Sequence, residues 1–193
     1  MRGDENRKLH DNPAGIDIRG LRNGSVQNCL IVEADDNGIW LNTGTKNTIV
    51  ANCTILRSKR HDIYMYQAEG CVIRGNIVLD NGQGGEGFNR ITLEAPWAGR
   101  FNIFEGNRCS GATQDYGIFL FGKAEDYNFI VNNICGGNRK GGVKFEGKHT
   151  IVANNLGWAP SCADCLSLTF AEVEPPPIAG RGLLRAFRGL SRF

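Results

Sequence analysis

The stretch NTIVANCTILRSKRHDIYMY, Asn47 to Tyr66, decides the fold. It holds two short apolar runs, an Asn among them, and a charged knot, Lys59-Arg60-His61-Asp62. The runs are rich in β-branched residues and too short for helices, so they read as strands. The same arrangement returns along the chain. Gly15-Ile-Asp-Ile, Gly38-Ile-Trp-Leu, Asp62-Ile-Tyr-Met, Arg90-Ile-Thr-Leu, Gly117-Ile-Phe-Leu and Gly142-Val-Lys-Phe share one form. Each is a starter residue followed by apolar, variable, apolar, and the starts lie 23, 24, 28, 27 and 25 residues apart.

A second signature follows each start: an apolar residue, then Asn within two or three positions. It ends on Asn28, Asn52, Asn76, Asn107, Asn133 and Asn154. A third short run often comes next, as in Cys29-Leu-Ile-Val32 and Cys53-Thr-Ile-Leu56. Three short strands per unit of roughly two dozen residues describe a solenoid, because one coil cannot bury its own apolar face and its neighbours must. Stacked coils put equal phases one above another at a strand spacing of about 4.8 Å. The recurring Asn then has a physical reason. At a tight corner it points inward and pairs with backbone groups and with the Asn of the next coil, which a buried amide requires. The alternative is that Asn only marks turns.

The totals allow this reading. The chain has 193 residues and 26 glycines with only 6 prolines, which favours many tight turns over a disordered linker. A net charge of +2 argues for no nucleic-acid partner. No apolar stretch reaches the ~18 residues of a membrane span, and the polar start MRGDENRKLHDN lacks the apolar core of a signal peptide. Seven Cys spread evenly make a poor disulfide framework and read mostly as small buried residues.

The repeat, carried by Gly-Ile-x-Leu and by Asn47-Thr-Ile-Val-Ala-Asn52-Cys-Thr-Ile55, resembles the right-handed parallel β-helix of the pectate-lyase-like superfamily, in its short-repeat carbohydrate-binding or sugar-hydrolase style. The resemblance covers about residues 15–158. It implies an all-β right-handed parallel β-helix of about six coils, with residues 1–14 as a lead-in or truncated coil and 159–193 as a non-repeat tail. Six coils are short for such a protein, so a piece of a longer β-helix is expected, either a polysaccharide lyase or glycoside hydrolase or, alternatively, a non-catalytic carbohydrate-binding or structural segment of a larger surface or phage protein. The resemblance further implies a polysaccharide partner, expected to be acidic, lying in a groove on the first-strand face, and an extracellular or periplasmic setting.

Alternation in the first strands sets that face. With Ile39 and Leu41 inside, one outward column reads Asp17, Trp40, Tyr64, Thr92, Phe119, Lys144, and the next Arg19, Asn42, Tyr66, Glu94, Phe121, Glu146. Five outward aromatic residues form a platform for sugar rings or, alternatively, are covered by loops. Trp40, Asn42, Tyr64, Tyr66, Phe119, Phe121 and Lys59 are therefore the expected substrate-binding residues. The loops add Lys59, Arg60, His61, Asp62, Glu86, Arg90 and Asp115. In a lyase, Arg60, Arg90 or Lys59 would act as base or clamp and His61 would exchange a proton. In a hydrolase, Glu94 with Asp62 or Asp115 would flank the bond. Neither the Asp-Pro-His-Asp of alginate epimerases nor the polygalacturonase set is present; of the latter only Asp35-Asp36 appears. The alternative is a solvated charged rim.

No metal ligand set stands out. Asp35-Asp36-Asn37-Gly38 offers oxygen ligands for a possible Ca²⁺ but also reads as a simple turn. Asn23-Gly-Ser25 and Asn52-Cys-Thr54 match glycosylation sequons, with Asn52 expected to be buried. Beyond Ala159 the period stops. Cys162-Ala-Asp-Cys165 is a lone CxxC. Arg181, Arg185, Arg188 and Arg192 with Leu183, Leu184, Phe187 and Leu190 between them fit a short basic amphipathic helix capping the last coil.

Overall fold

A computed structural model describes residues 14–80, 82, 91–94, 99–123 and 125–157, with the backbone alone for residue 94. The lead-in and the tail, with its CxxC and basic segment, lie outside them. The described residues form an all-β parallel solenoid with no helix. Three sheets run its length. The first contains β1 (Ile16–Arg19), β4 (Ile39–Asn42), β7 (Ile63–Tyr66), β10 (Ile91–Glu94), β13 (Tyr116–Phe121) and β15 (Gly141–Lys144). The second contains β2 (Ser25–Gln27), β5 (Ile49–Ala51), β8 (Val72–Arg74), β11 (Ile103–Glu105), β14 (Phe129–Val131) and β16 (Ile151–Ala153). The third contains β3 (Leu30–Val32), β6 (Thr54–Leu56), β9 (Ile77–Leu79) and β12 (Arg108–Ser110). Single bridges Arg108↔Ile134↔Leu156 carry the third sheet into the last two coils.

Pairing is in register, so like stacks on like. Ile39 pairs with Ile63, Ile63 with Ile91 and Ile91 with Ile118 in the first sheet, and Val50 pairs with Ile73 in the second. These inward columns are fully buried and meet Ile55, Val78 and Cys109 of the third sheet at the axis. Each large aliphatic side chain so buried contributes about 1.5–3 kcal/mol. The starter glycines have a steric cause. A Cβ on Gly38 would lie 2.6 Å from the Asp62 carbonyl, and one on Gly117 would lie 2.7 Å from the Gly142 carbonyl. Consecutive coils approach too closely there for a side chain.

The Asn signature proves to be two positions, one residue apart. The corner before the third strand needs a left-handed residue: Asn28 (φ 56°), Asn52 (φ 54°), Gly75 (φ 61°), Gly106 (φ 62°), Asn132 (φ 58°) and Asn154 (φ 55°) occupy it. Asn and Gly tolerate that region best. The next residue points inward: Cys29, Cys53, Asn76, Asn107, Asn133 and Asn155. The ladder is therefore four Asn long. Asn76 Nδ2 donates to Asn107 Oδ1 (3.0 Å), Asn107 to Asn133 (3.0 Å) and Asn133 to Asn155 (2.8 Å). Asn28, Asn52 and Asn154 are exposed turn residues, which corrects the expected ladder of six and the expected burial of Asn52. A second, shorter rung, Asn102 to Asn128 (3.1 Å), sits at the corner between first and second strands.

Candidate functional site

The first sheet places both outward columns as the alternation demands. Asp17↔Trp40↔Tyr64↔Thr92↔Phe119↔Lys144 are register partners, and Glu94 lies between Tyr66 and Phe121. Their exposure is uneven. Phe121 is 55% exposed. Trp40, Tyr64, Tyr66 and Phe119 are half-buried. Thr92 and Asn42 are buried. Asn42 faces away from the core, but its Oδ1 accepts from the Thr43 N–H (2.7 Å) and hydroxyl (3.2 Å), so it shapes the turn and offers a ligand little surface.

The rings make two clusters, separated by the coil that carries Thr92. In one, Trp40 and Tyr64 lie 5.7 Å apart and Tyr64 and Tyr66 6.4 Å apart, with the Arg19 guanidinium 5.9 Å from the Trp40 ring. In the other, Tyr116 and Phe119 stack at 5.6 Å and Phe121 meets Phe119 edge-on at 5.6 Å. Lys144 holds its ammonium 5.0 Å from the Phe119 ring and 5.5 Å from Tyr116, a cation–π geometry. Tyr116 and Lys144 were not among the expected site residues. Their signal was present, since Lys144 is in the first column and Tyr116 immediately precedes a starter glycine.

The expected catalytic residues come together only in part. His61 sits on the face, half-buried, stacked on Tyr64 at 5.1 Å, with its Nδ1 3.1 Å from the Thr92 hydroxyl. Its backbone N–H donates to Asn37 Oδ1 (3.1 Å). Arg60 pairs with Asp36 (3.2 Å), and Gln114, from the loop entering β13, donates to the Arg60 carbonyl (2.8 Å). Lys59 pairs with Asp35 (2.7 Å). Asp62 is fully buried at a starter position, below the face rather than on its rim. Asp115 is also buried; it pairs with Lys140 at 2.8 Å and lies 3.9 Å from Arg139. Its hydrogen bond and negative charge hold the Lys140 ammonium above its ordinary value. Arg90, Glu86 and the Glu94 side chain lie outside the described residues. A hydrolase needs two carboxyl groups open to one bond. Neither Asp62 nor Asp115 is open.

The oxygen-rich turn Asp35-Asp36-Asn37 is engaged in the pairs just named, and Asn37 Nδ2 donates to Asp36 (2.9 Å). Among the described residues no cluster of three His, Cys, Asp or Glu side chains has the arrangement to hold a metal ion. Among them, too, no helix is long and apolar enough to cross a membrane.

One ring stack escaped the sequence reading. Phe101 (φ 60°) and Tyr127 (φ 54°) occupy left-handed corner positions where earlier coils use Asn23, Asn47 and Gly70. They stack at 5.8 Å, and Tyr127 stacks on His149 at 4.6 Å. Asp126 holds His149 through Nδ1 and through the backbone N–H, both at 2.6 Å. Burial alone would raise the Asp126 carboxyl, but these hydrogen bonds outweigh it and keep the group below the ordinary carboxylate range. A bulky aromatic residue at positive φ is rare, so the alternating pattern of the strands gave no sign of it.

No curated protein and no solved structure matches the chain. A family model described as the right handed beta helix region matches residues 4–156, which spans every described strand. With its in-register parallel sheets and inward amide ladder, the chain belongs to the right-handed β-helix family.

Proposed function

We propose that the outer face of the first sheet binds a polysaccharide laid across the strands, along the solenoid axis, in the manner of the pectate-lyase-like proteins that the repeat resembles. The observation that carries this reading is the column of outward rings Trp40, Tyr64 and Phe119, interrupted by Thr92, with Tyr66 and Phe121 in the column beside it. Strand spacing of about 4.8 Å sets successive rings a distance apart close to the length of a sugar residue. Aromatic faces take the C–H faces of sugars, and neighbouring polar groups take the hydroxyls. Lys144 beside Phe119, with Lys140 and Arg139 on the adjoining loop, favours a chain that carries carboxylates.

Chemistry on the bound chain is a second reading, favoured by His61 alone. Its ring is fixed between Tyr64 and Thr92 on the outer face, an arrangement suited to proton transfer. It fits β-elimination on a uronate better than hydrolysis, given the burial of Asp62 and Asp115.

Titration calorimetry with oligomers of galacturonate, of alginate and of neutral glucan tests binding. Saturable heat with an acidic oligomer is expected. Tyr64→Ala and Phe119→Ala should each weaken it about tenfold to a hundredfold, which is ~1.4–2.8 kcal/mol. Equal affinity in both variants would remove the face from consideration. Ultraviolet absorbance of unsaturated uronate, rising with the native chain and flat with His61→Ala, would add elimination to binding.

A further inference from the structure

We propose that Cys29 and Cys53 form a redox-closable pair that clips the first described coil to the second. The two occupy the inward ladder position on consecutive coils. The register on either side, Gln27↔Ala51 and Leu30↔Thr54, sets them directly one above the other. A parallel spacing of about 4.8 Å falls inside the ~4.4–6.8 Å range of Cα separations in disulfides. Their thiols act as the amides do further along. Cys53 Sγ donates to the Ala51 carbonyl (3.4 Å) and the Val26 carbonyl (3.8 Å), and Cys29 Sγ donates to the Gln27 carbonyl (3.3 Å). Asn133 Nδ2 makes the matching bonds to Val131 and Phe104. Both thiols are free.

The fold supplies an internal control. Cys109 and Cys135 are stacked in the same way, since Arg108 bridges Ile134 and the Cys109 N–H donates to the Ile134 carbonyl (2.7 Å). Both are fully buried, whereas Cys29 is only half-buried and within reach of solvent. A soluble oxidant therefore discriminates between the pairs by access.

The oxidant is an external disulfide. The Cys29 thiolate attacks it, and one thiol leaves. The Cys53 thiolate then attacks the mixed disulfide at Cys29, and the second thiol leaves. One Sγ–Sγ bond forms, the external S–S bond breaks, and the two protons and two electrons lost by the cysteines appear on the two released thiols. Burial raises the Cys53 thiol above its ordinary value, which lowers its thiolate fraction and slows the second step.

The test is to incubate the full native chain with oxidised glutathione, alkylate, digest without reduction and map the peptides by mass. The Cys29 peptide joined to the Cys53 peptide is expected, with Cys109 and Cys135 recovered as free thiols. The thermal midpoint of the oxidised chain should rise by several degrees, as closing a loop of this length does. That rise should vanish in Cys29→Ser, whose substitution lies at a solvent-reachable position and leaves the fold intact, and in Cys53→Ser. Glutathione persisting on Cys29, Cys29 joined to Cys162 or Cys165, or Cys109 joined to Cys135 in preference would overturn the proposal.

Discussion

The third to sixth coils and the first two solve the same corner in different ways. From Asn76 to Asn133 each inward residue is an amide that bonds to the Asn of the next coil and to a carbonyl of the coil before, and Asn155 closes the row by accepting from Asn133; Asn107, for example, reaches the Ile73 carbonyl (2.9 Å) while its Oδ1 accepts from Asn76. At Cys29 and Cys53 the backbone turns identically, with Asn28 and Asn52 at the same positive φ, yet no amide crosses between the coils. The second corner repeats the contrast, with Asn102 and Asn128 following Gly24, Thr48 and Cys71. The first two coils therefore stack without an inward amide rung, through backbone pairing, the Cys53 thiol on the Val26 carbonyl and an exposed amide bond from Asn47 Nδ2 to Asn23 Oδ1 (3.2 Å). The amides do not simply track burial: Ile39, Leu41, Val50 and Ile55 of the second coil are fully buried beside Cys53, while Ile16, Ile18 and Val26 of the first described coil are partly exposed.

The sharpest way to break this comparison is Asn107→Ala. It removes bonds to Asn76, Asn133 and Ile73 and strands their buried partners. A loss of about 3–5 kcal/mol in urea unfolding is expected. The matching truncation Cys53→Ala should lose only about 1 kcal/mol, and equal losses would show that the ladder adds nothing beyond packing. Next in size is Asn52→Ala, which keeps the inward residue and strains the turn at φ 54°; about 1–2 kcal/mol should be lost, with Asn52→Gly close to neutral. Cys53→Asn runs the other way. The new amide would give the Cys29 N–H the acceptor that Asn76 gives Cys53, at 2.9 Å, and a gain of about 0.5–1.5 kcal/mol is expected.

The smallest effect is a pH dependence confined to the last coils. Asp126 has a carboxyl held below its ordinary value in the folded chain, so its contribution is complete above the unfolded value of about 4 and is lost as pH falls through the lower folded value. Thermal midpoints between pH 6 and pH 2 should fall less steeply in Asp126→Asn than in the native chain. Parallel slopes would remove Asp126 from the acid response.

The strands were legible because alternation over Ile39–Asn42 and its equivalents is forced by a core on one side and water on the other. Register, columns and starter glycines followed from that. The ladder was misphased because Asn suits both adjacent places, the left-handed turn for its tolerance of positive φ and the inward rung for its amide. With Asn52 before Cys53 and Gly75 before Asn76, spacing alone does not separate them. The candidate site was legible to a lesser degree. Charge in a loop reads as exposed charge, but Asp62 and Asp115 are carried inward where the chain turns into the first strand. The stack of Phe101, Tyr127 and His149 was invisible because Phe101 and Tyr127 break the local preference of the left-handed turn that they occupy.

In-register stacking also makes the molecule's length quantised. One residue inserted in β7 would invert the side chains that follow it, whereas one whole repeat inserted between equal phases, such as a copy of residues 102–127, would preserve every column and lengthen the solenoid by one strand spacing, ~4.8 Å. The outward rings would lengthen with it in the same increments, so the chain behaves as a ruler whose graduations are single turns.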